Sequence, residues 1–308
     1  MTAKLTIGPL FFNWPLERRR DFYLRLADEA PVDSVCLGEV VCAKRMPFLE
    51  PLWPEVIERL GRAGKEVVLS TPALVMGARE LAALRDLTAS DEALIEANEV
   101  AALALLAGRP HAVGPFVNVY NEGTLGILAR RGATRVSLPV ELPASALAAL
   151  AAVAAVELEV QVFGRLPLAI SARCYHARAH GLHKDSCQYV CAEDEEGMGV
   201  ETLDRVPLLA VNGTQTLSWA HCNLVRELGA LAAMGIGRYR LSPQALDMVA
   251  LAQLFRAVLE GRLEAEAAYQ QVGLLAPGAA FCDGYFHGRE GVALGGGREV
   301  LGASEAPG

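Results

Sequence analysis

Four of the chain's seven cysteines carry its most specific chemistry. Cys174, Cys187 and Cys191 lie in SARCYHARAHGLHKDSCQYVC, with twelve and then three residues between them. Cys42 stands far upstream, in LGEVVCAKRMPF. The leading segment, MTAKLTIGPLFFNWPLERRRDF, has neither the long apolar core nor the small-residue cleavage site of a secretory signal, so the expected compartment is the cytoplasm. Thiols stay reduced there, and three of them within eighteen residues point to a thiolate-bound metal rather than to disulfides.

Four thiolates suit either tetrahedral zinc or an iron–sulfur cluster. Structural zinc is usually gripped by two close pairs. Here only Cys187 and Cys191 are close, and three residues separate them instead of two. Cys174 and Cys42 are more scattered, as a larger cubane can accommodate, and on spacing both metals stay open. His176, His180 and His183 crowd the cluster, yet four thiols already complete a shell, so these imidazoles are expected to meet water or groups around the site. Cys36, inside VDSVCLGE, reads as a buried core thiol. Cys222, in WAHCNLV at an expected helix start, and Cys282, in FCDGYFHG, read as structural.

These residues need a frame. Apolar, β-branched runs recur at 4–10, 33–39, 65–71, 92–98, 111–119, 134–141, 157–164 and 237–243. Amphipathic stretches such as LERRRDFYLRLADEA and NEGTLGILARRG fall between them. The alternation predicts an α/β fold, a TIM-barrel-like (β/α)8 or an incomplete barrel. A doubly wound open sheet would call for a glycine-rich phosphate loop after the first strand, where the chain has GPLFFNWP instead. Residues 1–290 are expected to form one domain, with a cysteine-bearing insertion at 165–220 over the carboxyl-terminal face and a flexible tail at 291–308. Within the insertion, LLAVNGTQTLS reads as a short hairpin.

Active groups of such barrels gather at the carboxyl ends of the strands. Reading those ends gives Glu39, Ser70, Thr71, Glu96, Asn118, Asn121, Glu141 and Ser242. Cys42 follows the second strand on the same face, so four cysteines distant in sequence can converge there. Glu39, Glu96 and Glu141 are the candidate acid–base residues, although a salt bridge to a barrel-top Arg or Lys explains each equally well.

The bulk properties narrow the partners. Of 308 residues 52% are hydrophobic, enough for a sizeable core. The formal net charge of −8 argues against a nucleic-acid groove or a surface for anionic lipid. The Ala-rich stretch 144–156 is too short to span a bilayer.

Several fragments together carry a resemblance: LGEVVCAKRM, VLSTPALV, LIEAN, SLPVEL, LPLAISARCYHAR, the cysteine run, VNGTQTLS and YRLSPQ. Over residues 4 to about 260 the chain resembles the UbiV-type iron–sulfur subunits of the oxygen-independent ubiquinone hydroxylase. Those belong to the collagenase-like peptidase family, number thirty-two of unknown catalytic type. The resemblance implies a [4Fe-4S] cluster on Cys42, Cys174, Cys187 and Cys191. It implies anaerobic hydroxylation of a ubiquinone precursor, with prephenate as the oxygen donor. It also implies a heterodimer with a UbiU-like sister protein, a UbiT lipid carrier in the same pathway, and a hydrophobic quinone precursor as ligand. CDGYFHGREG resembles a carboxyl-terminal motif found across the larger family.

Two rival functions stand beside this. A peptidase is named by the family, yet the chain has no G-x-S-x-G elbow, no H-E-x-x-H helix, and no evident Ser or Cys with a His–Asp partner. A cluster-bearing scaffold for a partner enzyme is the other. Its one hint is the aromatic group Phe11, Phe12, Trp14 and Trp53, which barrel packing explains as well.

Overall fold

Short β-branched segments pair side by side to make the frame: β1 (Lys4–Ile7), β2 (Ser34–Leu37), β3 (Glu66–Ser70), β4 (Leu94–Ala97), β5 (His111–Val113), β6 (Ala133–Ser137) and β7 (Glu157–Ile170). The structure, a computed structural model, describes residues 3–294. Later in the chain come β8 (Met198–Glu201), β9 (Pro207–Asn212), β10 (Gln215–Asn223), β11 (Arg238–Leu241) and β12 (Phe281–Cys282). Strands β1 to β7 pair in order and in parallel, and β11 closes the ring between β7 and β1. The result is a closed eight-stranded parallel barrel with helices around it, a (β/α)8 fold.

Helices cover the strands with one apolar face each. In Leu16–Glu29 the buried residues are Arg19, Tyr23, Leu26 and Ala27, a spacing that puts them on one side. Asn121 starts the helix Glu122–Arg130 by accepting from Thr124 N. Strand β5 is shorter than the run 111–119 suggests. Pro115 has no N–H for the ladder. Asn118 then turns left-handed, at φ 60°.

The insertion differs from expectation at its start. Residues 165–170 do not leave the barrel but continue β7 beyond the rim, and the excursion begins at Ser171. β10 returns antiparallel along β7, from Gln215 opposite Ile170 to Asn223 opposite Phe163, and β9 and β8 add to its outer edge. Gly213 makes the β9–β10 turn at φ 65°, a left-handed conformation that suits a hairpin loop. Cys222 sits within β10, not at a helix start. Of the tail expected at 291–308, only residues 291–294 are described, and Ala293 is held to the 283–284 turn. Ala293 O accepts from Asp283 N and Gly284 N, while residues 295–308 lie outside the described range.

Charge fills the barrel where branched aliphatics are usual. Arg240 of β11 bridges Glu96 of β4 and Glu159 of β7, with side chains 4%, 1% and 0% exposed. Nearer the amino-terminal end, Arg135 and Arg238 share Glu157 at 2.9 and 2.8 Å. No helix among the described residues is long and apolar enough to cross a membrane.

Candidate metal centre

The Cys42 loop is built from β2 outward. Gly38 follows the strand at φ 133°. A Cβ there would lie 2.4 Å from Ser70 O, so only glycine fits. The turn swings Glu39 under the loop, where its Oε1 accepts from Val41 N and Cys42 N at 3.1 and 3.0 Å. Arg45 Nη1 lies 3.6 Å from the same carboxylate and Arg19 Nη1 4.0 Å. Glu39 therefore holds the loop, its side chain buried. Gly38→Ala is expected to cost roughly 2 kcal/mol or more through backbone strain and the clash. Urea unfolding of the metal-free protein measures it, and unchanged stability would show that the loop relaxes freely.

The other three cysteines come from the excursion. Ser171 N donates to Thr214 O at 2.9 Å and Thr214 Oγ1 to Val41 O at 2.7 Å, which ties the β9–β10 turn to the Cys42 loop. Cys174 caps the short helix Tyr175–Ala179, its Sγ accepting from Ala177 N at 3.4 Å. Gln188 and Tyr189 are consecutive left-handed residues at φ 49° and 56°. Such backbone is uncommon outside glycine, and here it wraps the chain between Cys187 and Cys191. The extra residue in the Cys187–Cys191 spacing makes room for that wrap. Tyr189 is anchored by Phe48, with ring centroids 5.0 Å apart, and by Lys44 O at 3.3 Å.

Cys42, Cys174, Cys187 and Cys191 line one pocket, together with Lys44, Arg45, Lys184 and Tyr189. Nitrogen donors point at the sulfurs. Arg45 Nη2 lies 3.2 Å and Asn13 Nδ2 3.4 Å from Cys191 Sγ, and Lys44 Nζ lies 3.8 Å from Cys187 Sγ. Arg45 also donates to Asn212 Oδ1 at 2.7 Å and Phe11 O at 3.1 Å while only 2% exposed. Burial pushes the Cys42 and Cys174 thiols up from their ordinary range, so an incoming metal displaces their protons. The sequence reading missed Arg45, Asn13 and Lys44. Lys44 and Arg45 stand next to Cys42 and were open to notice; Asn13 carries no signal.

The remaining candidates disperse. Cys36 faces the barrel interior, where burial and then Glu96 push its thiol up, so it is not part of the pocket. Cys222 and Cys282 are buried opposite each other on β10 and β12. Glu96 is sealed against Arg240, with Ser70 Oγ at 3.0 Å and Asn98 Nδ2 at 3.3 Å. Thr71 Oγ1 accepts from Asn98 N, and Ser242 is buried. Of the three carboxylates only Glu141 is exposed, accepting from Tyr120 OH beside a mouth pocket of about 310 Å³ lined by Ala73, Phe116, Asn118 and Leu168. Burial, and then Glu141, raise the Tyr120 hydroxyl to about 12.

Next to the thiols, His176 is buried, with Nε2 2.9 Å from Asp194 Oδ2 and Nδ1 3.2 Å from Val211 O. His180 stacks on it at 5.3 Å. Phe11, Phe12 and Trp14 are 3%, 0% and 4% exposed, so their hint of a partner surface gives way to barrel packing.

A wider groove of about 890 Å³ opens beside the thiol pocket and shares Cys174, Lys44 and Lys184 with it. Arg79, Arg173, Arg178 and His183 also line it, against Glu80 and Asp185. In a chain of net charge −8 this is a local surplus of cations.

A closed (β/α)8 barrel with four thiols gathered on loops beyond its carboxyl-terminal rim defines the class of protein. The sequence model of Peptidase family U32 matches residues 23–294, and the chain belongs to that family. Among solved structures it is similar to the U32 peptidase Mk0906, at 15% identity over 80% of this chain and 94% of that one, TM-score 0.45. It is also similar to the tryptophan synthase complex from Pyrococcus furiosus, at 12% identity over 90% and 99%, TM-score 0.39. A third is the phospho-2-dehydro-3-deoxyheptonate aldolase from Thermotoga maritima, at 12% identity over 90% and 71%, TM-score 0.41.

Proposed function

We propose that the chain holds a [4Fe-4S] cluster on Cys42, Cys174, Cys187 and Cys191 and acts as a UbiV-type subunit in oxygen-independent hydroxylation of a ubiquinone precursor. The observation that carries this reading is one pocket lined by four thiols from distant segments, with N–H donors aimed at three of them. Zinc at ~2.3 Å from each sulfur would draw the thiols to about 3.8 Å apart. Among the described residues, no group of three ligand atoms within 4.8 Å of one another includes a cysteine.

When bound, such a cluster supplies one-electron chemistry, with a potential set by hydrogen bonds to sulfur and by burial. The chain's own residues do the rest. Arg45 and Asn13 orient Cys191, and Lys44 neutralises charge at Cys187. Arg79, Arg173 and Arg178 give the adjoining groove the charge to receive a doubly anionic oxygen donor such as prephenate, since guanidinium pairs with carboxylate through two parallel hydrogen bonds. An apolar pocket of about 300 Å³, lined by Leu37, Met46, Trp53 and Leu87, has the character to take the hydrophobic precursor. A UbiU-like sister subunit and a UbiT-type lipid carrier complete the proposed system.

The family name favours a peptidase as the second reading. Here both ring nitrogens of His176 face other groups, Val211 O and Asp194, so neither is aimed at Cys174 as a general base.

The test is purification without oxygen followed by iron and acid-labile sulfide analysis. About four irons per chain and a brown chromophore are expected, with chromophore and hydroxylation both lost in Cys187→Ala. A colourless protein with one zinc, or hydroxylation surviving without a cluster, overturns the proposal. Digestion of collagen or casein by metal-free protein would restore the peptidase.

A further inference from the structure

The carboxyl-terminal motif CDGYFHGREG plays no part in the thiol pocket, yet the fold fixes it tightly. β12 adds in parallel to β10, with Phe281 opposite His221 and Cys282 opposite Cys222. The chain then coils on itself. Arg289 N donates to Gly284 O at 2.8 Å, and Gly288 N donates to Tyr285 O at 3.0 Å. A Cβ on Gly284 would sit 1.8 Å from Glu290 O, and one on Gly291 2.5 Å from the Tyr285 ring. Those two glycines let the turn close, and closing it turns Asp283 and His287, four residues apart, to the same side.

A third group meets them from another element. The 3-10 turn Val225–Glu227, just after β10, presents Glu227. His287 Nε2 lies 3.3 Å from Glu227 Oε1 and 3.7 Å from Asp283 Oδ2, and the three ligand atoms all fall within 4.8 Å of one another. Side-chain exposure is 36% for His287, 20% for Glu227 and 5% for Asp283. The neighbouring cation Arg226 is held at 2.6 Å by Glu266 and stacks on Tyr269, and Asp283 also acts on it electrostatically.

The distances decide between two explanations. A charged N–H donating to a carboxylate settles at ~2.7–2.9 Å. Both His287 separations are longer. Ligands at ~2.0–2.2 Å from a tetrahedral zinc lie about 3.3–3.6 Å from one another; the His287–Glu227 spacing of 3.3 Å falls in that range and the His287–Asp283 spacing of 3.7 Å just beyond it. Imidazole and carboxylate are both zinc-ligand types, and three such donors leave a fourth position for water.

We propose that Glu227, Asp283 and His287 form a second, thiol-free site for a divalent transition ion, zinc by preference, with its open position on the solvent side of His287. The ion fastens the 283–293 turn to the barrel flank beside β10. Because it binds three groups that only the fold brings together, it stabilises the folded chain by mass action. This site is independent of any cluster on the cysteines.

Cobalt is the probe, since it substitutes for zinc and reports its ligands. Thiolate-bound Co²⁺ gives intense sulfur-to-metal charge transfer, whereas a nitrogen–oxygen site gives only weak d–d bands. Titrating the full-length, anaerobically purified chain should show one equivalent with d–d bands alone. It should vanish in His287→Gln and Glu227→Gln, persist in Cys187→Ala, and raise the melting midpoint of the wild type but not of His287→Gln. The midpoints of both variants without metal report whether they fold. Cobalt appearing only with charge transfer, or a nitrogen–oxygen signal surviving in folded His287→Gln, overturns the site.

Discussion

Replacing Arg240 with methionine is expected to destabilise the barrel by about 3–5 kcal/mol, because it strands two buried carboxylates at once. Arg240 donates through Nε to Glu159 at 2.7 Å and through Nη2 to Glu96, and both carboxylates are sealed from water. Burial alone would raise the Glu159 carboxyl. Arg240, with Arg135 and Arg238, outweighs it and holds the group below the ordinary carboxylate range.

The pH dependence follows in sign. In the wild type the depressed carboxyl contributes stability above about pH 4.3, the unfolded value, and that contribution is lost as pH falls through the lower folded value. In Arg240→Met the largest opposing charge is gone and, of the cations, only Arg135 and Arg238 still counter burial, so the Glu159 carboxyl moves up and takes up a proton more readily in the folded state. The variant's deficit should therefore be largest at neutral pH and shrink toward pH 5. Urea unfolding at pH 5 and pH 8 measures it. Adding Glu96→Gln and Glu159→Gln should recover most of the loss, since the partners are then neutral. An equal deficit at both pH values would mean that Arg240 acts by packing, not by charge.

That network also marks how far the sequence could be read. The barrel was legible because each β-branched run is separated by an amphipathic helix, and periodicity reports burial on one face. The convergence of Cys42 on the later cysteines was legible as well, because the strand-end rule places it at the same face as the insertion. The carboxylates were not. Glu39, Glu96 and Glu141 look alike along the chain, yet one braces a loop, one is locked inside the barrel and one is exposed beside Tyr120. Their partners, Arg45 and Arg240, lie 6 and 144 residues away from Glu39 and Glu96, and no local pattern announces either pairing. The boundary at 165 failed for a related reason. Pro167 interrupts the strand pattern of RLPLAI, and what keeps these residues in a ladder is the pairing with β10, a tertiary contact. Asn13 and the Glu227–Asp283–His287 group needed coordinates altogether, being joined only by tertiary contact.

Arg45→Met is expected to have the second large effect, and here stability and metal retention separate. One guanidinium holds Phe11 O, Asn212 Oδ1 and Cys191 Sγ and sits 3.6 Å from Glu39. Removing it leaves Glu39 buried with only Arg19, at 4.0 Å. The cost should be about 3–5 kcal/mol in the metal-free chain. Arg45→Lys keeps the charge near Glu39 but lacks the planar fork that reaches several acceptors together. It should fold with a smaller loss and yet release the iron of the proposed cluster to a chelator about 10–100-fold more readily, the usual consequence of removing a donor to a metal's ligand. Denaturation of metal-free protein gives the first quantity, and chelator competition on anaerobic holoprotein gives the second. If Arg45→Lys retains iron as the wild type does, the N–H···S contact to Cys191 is not what secures the metal. Arg45 would then be a brace for the Cys42 loop alone.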